Sequence, residues 1–315
     1  MVSILQLDEN HPYILQRLRK EGFLCDEDHV SHKKVIEEII ASYEGVILRS
    51  RFKIDRQFID RAKCLKFIAR VGSGLENIDT AHARGRGISL LHAPEGNRDA
   101  VAEHVIGMLL CLMHRICLAN REIRQGKWIR EGNRGGELMG KTVGIIGYGH
   151  TGKAFARRLS GFGVRALFHD ILPNMGDDYA CQAGLEVLYR EADVISLHVP
   201  YTGSTRNMVN AFFIDNFQKS FYLINSSRGG CVVTDDLVSA LKSGKILGAC
   251  LDVLEYEKTS FESLFHNKVP NTFDYLIHSD RVILTPHIAG WTHESKYKLA
   301  RYIVDKILTL YKNLS

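Results

Sequence analysis

The sequence predicts an α/β protein of two domains, one of them a doubly wound parallel sheet, and three observations carry that prediction. An apolar strand, Val143 to Ile146, runs directly into Gly147-x-Gly149-x-x-Gly152 and then into a helical pattern with Phe155, Leu159 and Phe162 on one face. A second apolar strand ends at Asp170, 18 residues after Gly152. Elsewhere, short apolar runs bounded by glycines and charges alternate with helical periodicity, the pattern of parallel strands joined by helices. At 315 residues the chain is long enough to bury two cores.

In order, Val2 to Leu7 reads as a strand and Pro12 to Glu21 as a helix with proline at its start, where the missing N–H costs nothing. Lys33 to Tyr43 reads as a helix with Val35, Ile36, Ile39 and Ile40 apolar. Val46 to Leu48, Phe67 to Ala69 and Ile88 to Leu91 are short buried strands, completing a small α/β domain of flavodoxin-like type. Asn97 to Gln125 reads as one long apolar helix, suited to a spine between domains or to a subunit interface. After Gly126-Lys127-Trp128 and a glycine-rich loop, the second domain begins at Lys141. Its later strands are Val194 to Val199, Tyr222 to Asn225, Leu247 to Leu251 and Val282 to Leu284. Thr292 to Leu310 is an amphipathic helix with Leu299, Ile303, Ile307 and Leu310 on one face, which by spacing alone suits either domain.

Composition excludes several classes. Hydrophobic residues make up 45% and charged residues 24%, ordinary for a globular protein. The net charge of +5 is mild and dispersed, so nucleic acid is not expected as a partner, whereas a small anion is compatible. The longest apolar run, Val105 to Met113, is too short for a bilayer, and the start lacks a basic leader, so neither membrane nor secretion is expected. Seven cysteines without a C-x-x-C pair favour reduced thiols and a cytoplasmic setting, with Cys111, Cys117 and Cys250 as core filler. His29-x-x-His32 has no partner ligands at metal-site spacing, so no metal is expected.

The glycines specify a chemistry. Gly147 permits a tight turn, Gly149 lets backbone approach a pyrophosphate, and Gly152 lets helix and strand pack closely. The helix N-terminus offers free N–H groups to the anion. Asp170 stands where a carboxylate accepts hydrogen bonds from a ribose diol, and a 2′-phosphate there would meet a like charge, so NAD is favoured over NADP. This is a Rossmann-type domain. A ligand-free glycine turn is the alternative, and the joint presence of strand, glycines, helix and acid weighs against it.

Three polar residues follow strands of this domain: Arg228, Glu257 and His287. Loops after parallel strands open on one edge of the sheet, where these three can meet. Oxidation of a 2-hydroxy acid needs a base for the hydroxyl proton, a role for histidine. A carboxylate orients the imidazole, and an arginine holds the substrate carboxylate bidentately. Singly, each has a plain structural use: His287 capping a turn, Arg228 tying a loop, Glu257 solvated beside Lys258. Their joint placement favours the chemical one.

Specific motifs surround these residues: Arg70-Val-Gly-Ser-Gly-Leu-Glu-Asn-Ile-Asp79, Ala93-Pro-Glu-Gly-Asn97, Val101-Ala-Glu-His104, Gly126-Lys-Trp128, the glycine fingerprint, the Arg228 segment, Asp252 to Glu257 and Thr285-Pro-His-Ile-Ala-Gly290. With these, the chain from about Glu44 to Gly290 resembles the D-isomer-specific 2-hydroxyacid dehydrogenases, and most of all their phosphoglycerate dehydrogenase branch. The resemblance implies Arg228, Glu257 and His287 as the catalytic set. It implies pyrophosphate contacts from His150 and Thr151, and nicotinamide and ribose contacts from Val199, Pro200, Thr205, Ser226, Ser227 and Asp252. It implies that backbone around Ser73 and Gly74 binds the substrate carboxylate, with Asn97 near it. Arg49 and Arg70 match positions facing a substrate phosphate, and Arg130 reaches over from a partner subunit; the alternative is that Arg49 and Arg70 are surface residues at strand ends.

The same resemblance implies a discontinuous substrate domain, residues 1–96 and 291–315, an NAD-binding domain, 97–290, and a homodimer built on the helix from Asn97. The implied activity is oxidation of D-3-phosphoglycerate to 3-phosphohydroxypyruvate, as in serine biosynthesis. Alternatives are a general glyoxylate or hydroxypyruvate reductase, or an NAD-sensing scaffold like the C-terminal-binding corepressors. Two departures from the family pattern stand out. Lys258 replaces a usual proline, and Thr259 to Asp280 is long and contains Phe261, Phe265, Phe273 and Tyr275, suiting a lid, an interface or plain packing. A chain ending at Ser315 is not expected to carry the regulatory domains through which serine acts on some relatives.

Overall fold

The computed structural model describes residues 2–257 and 270–312. These form two compact units. One contains residues 2–97 and 291–312, the other 98–257 and 270–290, with one boundary inside the helix Pro94–Met113.

The first unit holds a five-stranded, all-parallel sheet. Its strands are β1 (Ser3–Gln6), β2 (Leu24–Glu27), β3 (Gly45–Leu48), β4 (Phe67–Arg70) and β5 (Ser89–His92), in the order β2-β1-β3-β4-β5. This is the flavodoxin-like order, whose switch point lies between β1 and β3. Both β3 and β4 are buried on both faces, as a parallel sheet covered by helices on each side requires. One face packs Ile36, Ile40, Phe58 and Ile59. The other packs Ile14 and Leu18 with Ala300, Ile303, Val304 and Ile307 of the last helix, His293–Lys312. The apolar stripe of that helix thus finds its sheet in this unit, a choice that periodicity left open.

The second unit holds a seven-stranded parallel sheet: β6 (Thr142–Ile146), β7 (Arg165–His169), β8 (Cys181–Gln182), β9 (Val194–Leu197), β10 (Phe221–Asn225), β11 (Ile246–Leu251) and β12 (Val282–Leu284). The order β12-β11-β10-β9-β6-β7-β8 is the Rossmann arrangement with one additional strand. The switch point falls between β6 and β9, which pair from Val143↔Val194 to Ile146↔Leu197. The glycine turn that follows β6 and the His198–Val199 segment that follows β9 therefore emerge side by side.

Two expectations need correction. The apolar stretch from Asn97 to Gln125 is two helices, Pro94–Met113 and Ile116–Arg124, bent by 62°. Arg115 between them is left-handed (φ 57°), and the Met113 carbonyl accepts from the N–H of Gly136 at 2.9 Å. A remote glycine loop thus takes the bond that would have continued the helix, and periodicity carries no trace of it. Cys117, expected as core filler, is exposed on the second helix, which buries none of its residues; Cys250 is buried as expected and Cys111 partly. Of the aromatic-rich segment after Glu257, Lys258, Phe261 and Phe265 lie outside the described residues, whereas Phe273 packs into the core on the helix Asn271–His278.

His198 is an informative buried group. Its Nε2 lies 2.9 Å from Ser196 Oγ, and burial pushes its imidazole down to about 3. The unfolded chain takes up this proton near the ordinary histidine value and the folded chain does not, so stability is lost as pH falls from that value toward 3. Between pH 6.5 and 5, above the carboxylate range, this one proton gives a slope that grows from about 0.7 to about 1.3 kcal/mol per pH unit as the unfolded histidine fills. His198→Gln removes that slope in urea denaturation across the same window.

Candidate active site

The turn after β6 is fixed by sterics within the chain. Gly147 has φ +91°, and a Cβ there would lie 2.6 Å from the His198 carbonyl oxygen. A Cβ on Gly152 would run into the Gly147 carbonyl. Gly149 differs: a Cβ there would meet no atom of the described chain within 4 Å. No described residue requires a glycine at Gly149, and the space beside it opens at the N-terminus of the helix His150–Leu159, where first-turn N–H groups point outward. His150 is exposed and Thr151 half-buried at this terminus. Asp170 follows β7, and its two carboxylate oxygens accept from the N–H groups of Tyr148 (2.6 Å) and Leu172 (3.0 Å). Each oxygen keeps a lone pair for a further donor.

Sequence reasoning passed over Tyr148, the variable residue of the fingerprint. It is fully buried, stacks on Phe168 at 3.8 Å, and donates its phenol to Asp177 at 2.7 Å. Burial and the Asp177 carboxylate push the phenol well above its ordinary range, so the ring is a neutral, fixed support beneath the turn.

The loop after β9 is held by Thr205, whose hydroxyl donates to the Pro200 carbonyl (2.6 Å) and accepts from the N–H of Thr202 (2.8 Å). Val199 borders the Gly147 turn. After β10, Ser227 donates its hydroxyl and its N–H to Asn225 Oδ1, at 2.8 and 3.1 Å. Ser226 Oγ is buried with no hydrogen-bond partner among the described residues. A buried hydroxyl of that kind is costly unless a ligand satisfies it. The donor set therefore fits a dinucleotide: open space at Gly149, free N–H groups at a helix start, an acid at the end of β7 and an unsatisfied hydroxyl beyond β10.

Glu257 and His287 meet: Glu257 Oε2 lies 2.8 Å from His287 Nδ1, while Oε1 accepts from the Leu254 N–H at 2.6 Å. A carboxylate only accepts, so Nδ1 carries the proton. His287 is left-handed (φ 56°), uncommon for a non-glycine residue although histidine is enriched there. Asp252 holds the loop that carries it. This residue, 1% exposed, accepts from Thr285 Oγ1 (2.6 Å) and from the N–H groups of Ile288 (2.8 Å) and Ala289 (2.9 Å). Its carbonyl accepts the His287 N–H at 2.8 Å. Expected at the cofactor, Asp252 commits both carboxylate oxygens to the histidine loop. His104 adds to this cluster, with Nε2 3.1 Å from Thr285 Oγ1. Arg228 follows β10 and donates Nη1 to the Ser227 carbonyl at 2.7 Å. Gly229 behind it has no room for a side chain, because a Cβ would run into the Leu254 carbonyl.

The remaining candidates lie in the first unit. Arg70 ends β4 and is buried, at 8% exposure, so it is not a surface residue; its Nε donates to the Arg49 carbonyl at 3.1 Å. Arg49 follows β3, its N–H donating to Asp8 Oδ2 at 2.6 Å. The Ser73 carbonyl accepts from His92 Nδ1 at 2.7 Å, fixing the Ser73–Gly74 turn. Asn97 Oδ1 is buried without a hydrogen-bond partner among the described residues.

Residues 106–289 match the family model described as "D-isomer specific 2-hydroxyacid dehydrogenase, NAD binding domain". The chain belongs to the D-isomer-specific 2-hydroxyacid dehydrogenases. As a member it is an NAD-dependent oxidoreductase. It is 34% identical over 290 residues to the hydroxypyruvate reductase of Thermotoga maritima, covering 92% of both chains. It is 34% identical over 303 residues to the D-3-phosphoglycerate dehydrogenase of Archaeoglobus fulgidus, covering 94% of this chain but 55% of that one, so it spans about half the length of that relative. The solved D-lactate dehydrogenase of Aquifex aeolicus, in complex with NAD and lactic acid, superposes with a TM-score of 0.84 at 28% identity over 99% of this dehydrogenase and 96% of that chain.

The bonded Glu257–His287 pair leads to a direct expectation for the dehydrogenase. His287→Ala lowers turnover by about 10²–10⁴, with NADH binding, followed by fluorescence titration, within about twofold. Turnover at the wild-type level would remove His287 from the chemistry.

Proposed function

We propose that this dehydrogenase interconverts D-3-phosphoglycerate and 3-phosphohydroxypyruvate with NAD, the first step of serine synthesis. The observation that carries the mechanism is the 2.8 Å bond between Glu257 and His287. A bound nicotinamide would supply the hydride acceptor or donor for C2 of the hydroxy acid. His287 Nε2 takes the proton of the C2 hydroxyl during oxidation and gives it back to the carbonyl oxygen during reduction. Glu257, bonded to Nδ1, keeps the ring oriented through the transfer. Arg228 holds the substrate carboxylate and polarises the carbonyl. The N–H groups of the Ser73–Gly74 turn and the amide N–H of Asn97 are the donors assigned to a substrate carboxylate in the first unit.

For the cofactor, His150 and Thr151 at the helix start bind the pyrophosphate, and Val199, Pro200, Thr205, Ser226 and Ser227 flank the nicotinamide ribose. Asp170 takes the adenosine ribose and excludes a 2′-phosphate. For the substrate, Arg49 and Arg70 face the phosphate, supported by the burial of Arg70 beneath the Arg49 carbonyl. We further infer a homodimer. Ile116 and Ile123 are 49% and 51% exposed on the helix Ile116–Arg124, and Trp128 beyond it is 80% exposed, an apolar surface that a second copy would cover.

A second reading keeps the mechanism and changes the substrate. The chain is as identical to the hydroxypyruvate reductase relative, 34%, as to the phosphoglycerate dehydrogenase relative, and this supports an unphosphorylated 2-keto acid equally.

Initial rates of NADH oxidation with 3-phosphohydroxypyruvate, hydroxypyruvate, glyoxylate and 2-ketobutyrate separate the two. The first reading expects a strong preference for the phosphorylated ketoacid that Arg49→Ala abolishes while sparing glyoxylate. Faster turnover of hydroxypyruvate or glyoxylate establishes the second. Asp170→Ala is expected to narrow the NADH-over-NADPH ratio of kcat/KM by roughly tenfold or more, the scale of one removed charge contact. A wild-type enzyme preferring NADPH refutes this assignment.

A further inference from the structure

We propose that Trp291 is a positioning residue that presents Arg49 as a preset clamp for an anionic group on the substrate, remote from its 2-keto acid end. The inference rests on the reading of Arg49 given above and adds a residue and a physical device to it.

The guanidinium carbon of Arg49 lies 4.6 Å from the centroid of the Trp291 ring. A cation held over a ring face is attracted by the ring's quadrupole without an oxygen acceptor, so the contact leaves guanidinium N–H donors available for oxygens. Among the described residues, the Arg49 side chain makes no hydrogen bond and no ion pair. Nearby Arg51 shows the contrast, donating to the carbonyls of Leu7, Asp28 and Ser31 and lying 3.7 Å from the Asp28 carboxylate. Arg51 spends its donors on the fold, and Arg49 does not.

The main chain of Arg49 is nonetheless pinned on both sides. Its N–H is held by Asp8, and its carbonyl accepts from Arg70 Nε at 3.1 Å and from Asn77 Nδ2 at 3.3 Å. Backbone and guanidinium face are thus fixed while the donor edge is unspent. Trp291 itself is 65% exposed, so its contact with the cation is not a by-product of core packing. An arginine ordered before its ligand arrives gives up less rotamer freedom on binding. The edge geometry suits two oxygens of one group, a phosphate monoester or a second carboxylate.

The test is a double-mutant cycle in steady-state kinetics: wild type, Trp291→Ala, Trp291→Phe, Arg49→Ala and the double variant. The substrates are 3-phosphohydroxypyruvate, oxaloacetate and glyoxylate, the last lacking a second anionic group. Trp291→Ala is expected to raise KM for the anion-bearing ketoacid roughly 5–30-fold, with kcat within about threefold. The loss on glyoxylate is expected to be at least about fivefold smaller, Trp291→Phe to recover most of the binding, and the Trp291 effect to vanish without Arg49. Whichever of the two anionic substrates responds identifies the group. Equal losses on all three substrates, a loss that persists in the Arg49→Ala background, or no loss at all overturns the clamp. An intact cycle on oxaloacetate with no preference for the phosphorylated ketoacid overturns the phosphoglycerate reading and leaves the clamp standing.

Discussion

Asp252 sits at the end of β11 with both carboxylate oxygens turned into the protein, where they gather Thr285, Ile288 and Ala289 around one buried charge. A carboxylate taken out of water costs several kcal/mol unless it is well bonded, and each charge-assisted hydrogen bond returns about 1.5–3 kcal/mol. The cheapest arrangement is therefore the one in which the chain after β12 curls back over Asp252. That curl holds His287 in the left-handed region and fixes where its imidazole leaves the backbone. Glu257, six residues beyond the end of β11, then supplies the bond to Nδ1 that orients the ring. The geometry of the Glu257–His287 pair thus depends on the Asp252 carboxylate, which organises the loop beneath it.

The same economy governs the nucleotide half. Gly147 and Gly152 are glycines because the protein's own backbone crowds them, at the point where the strand order reverses between β6 and β9. Gly149 is not crowded, and a Cβ there would meet no described atom within 4 Å. Asp170 is tied to the Tyr148 N–H, so the acid at the end of β7 is coupled to the glycine turn after β6. Two parts of the fingerprint that are 22 residues apart in sequence act as one rigid piece.

The arginines of the first unit divide their work in a way that residue type does not reveal. Arg70 is buried and braces the Arg49 carbonyl, Arg51 staples a loop, and Arg49 rests its guanidinium on the Trp291 ring and makes no side-chain hydrogen bond among the described residues. Function there turns on which donors the fold has already used.

By itself, the sequence determined the layered α/β architecture, the position of nearly every strand and the identity of the nucleotide turn. These follow from local rules: apolar runs of strand length, helical periodicity and glycines whose spacing answers to backbone sterics. It also singled out Arg228, Glu257 and His287, because loops after parallel strands open on one edge whatever the detailed packing. What it left undecided was long-range. The break at Arg115 comes from a glycine loop some twenty residues away that captures the Met113 carbonyl. The sheet covered by the last helix was settled by where Ala300, Ile303 and Ile307 find an apolar face. The anchoring role of Asp252 and the pairing of Arg49 with Trp291 depend on groups 33 to 242 residues apart coming within bonding distance. Periodicity and motif spacing describe a segment's own preferences; only the packed tertiary structure decides which side chains are spent on one another and which are left for a ligand.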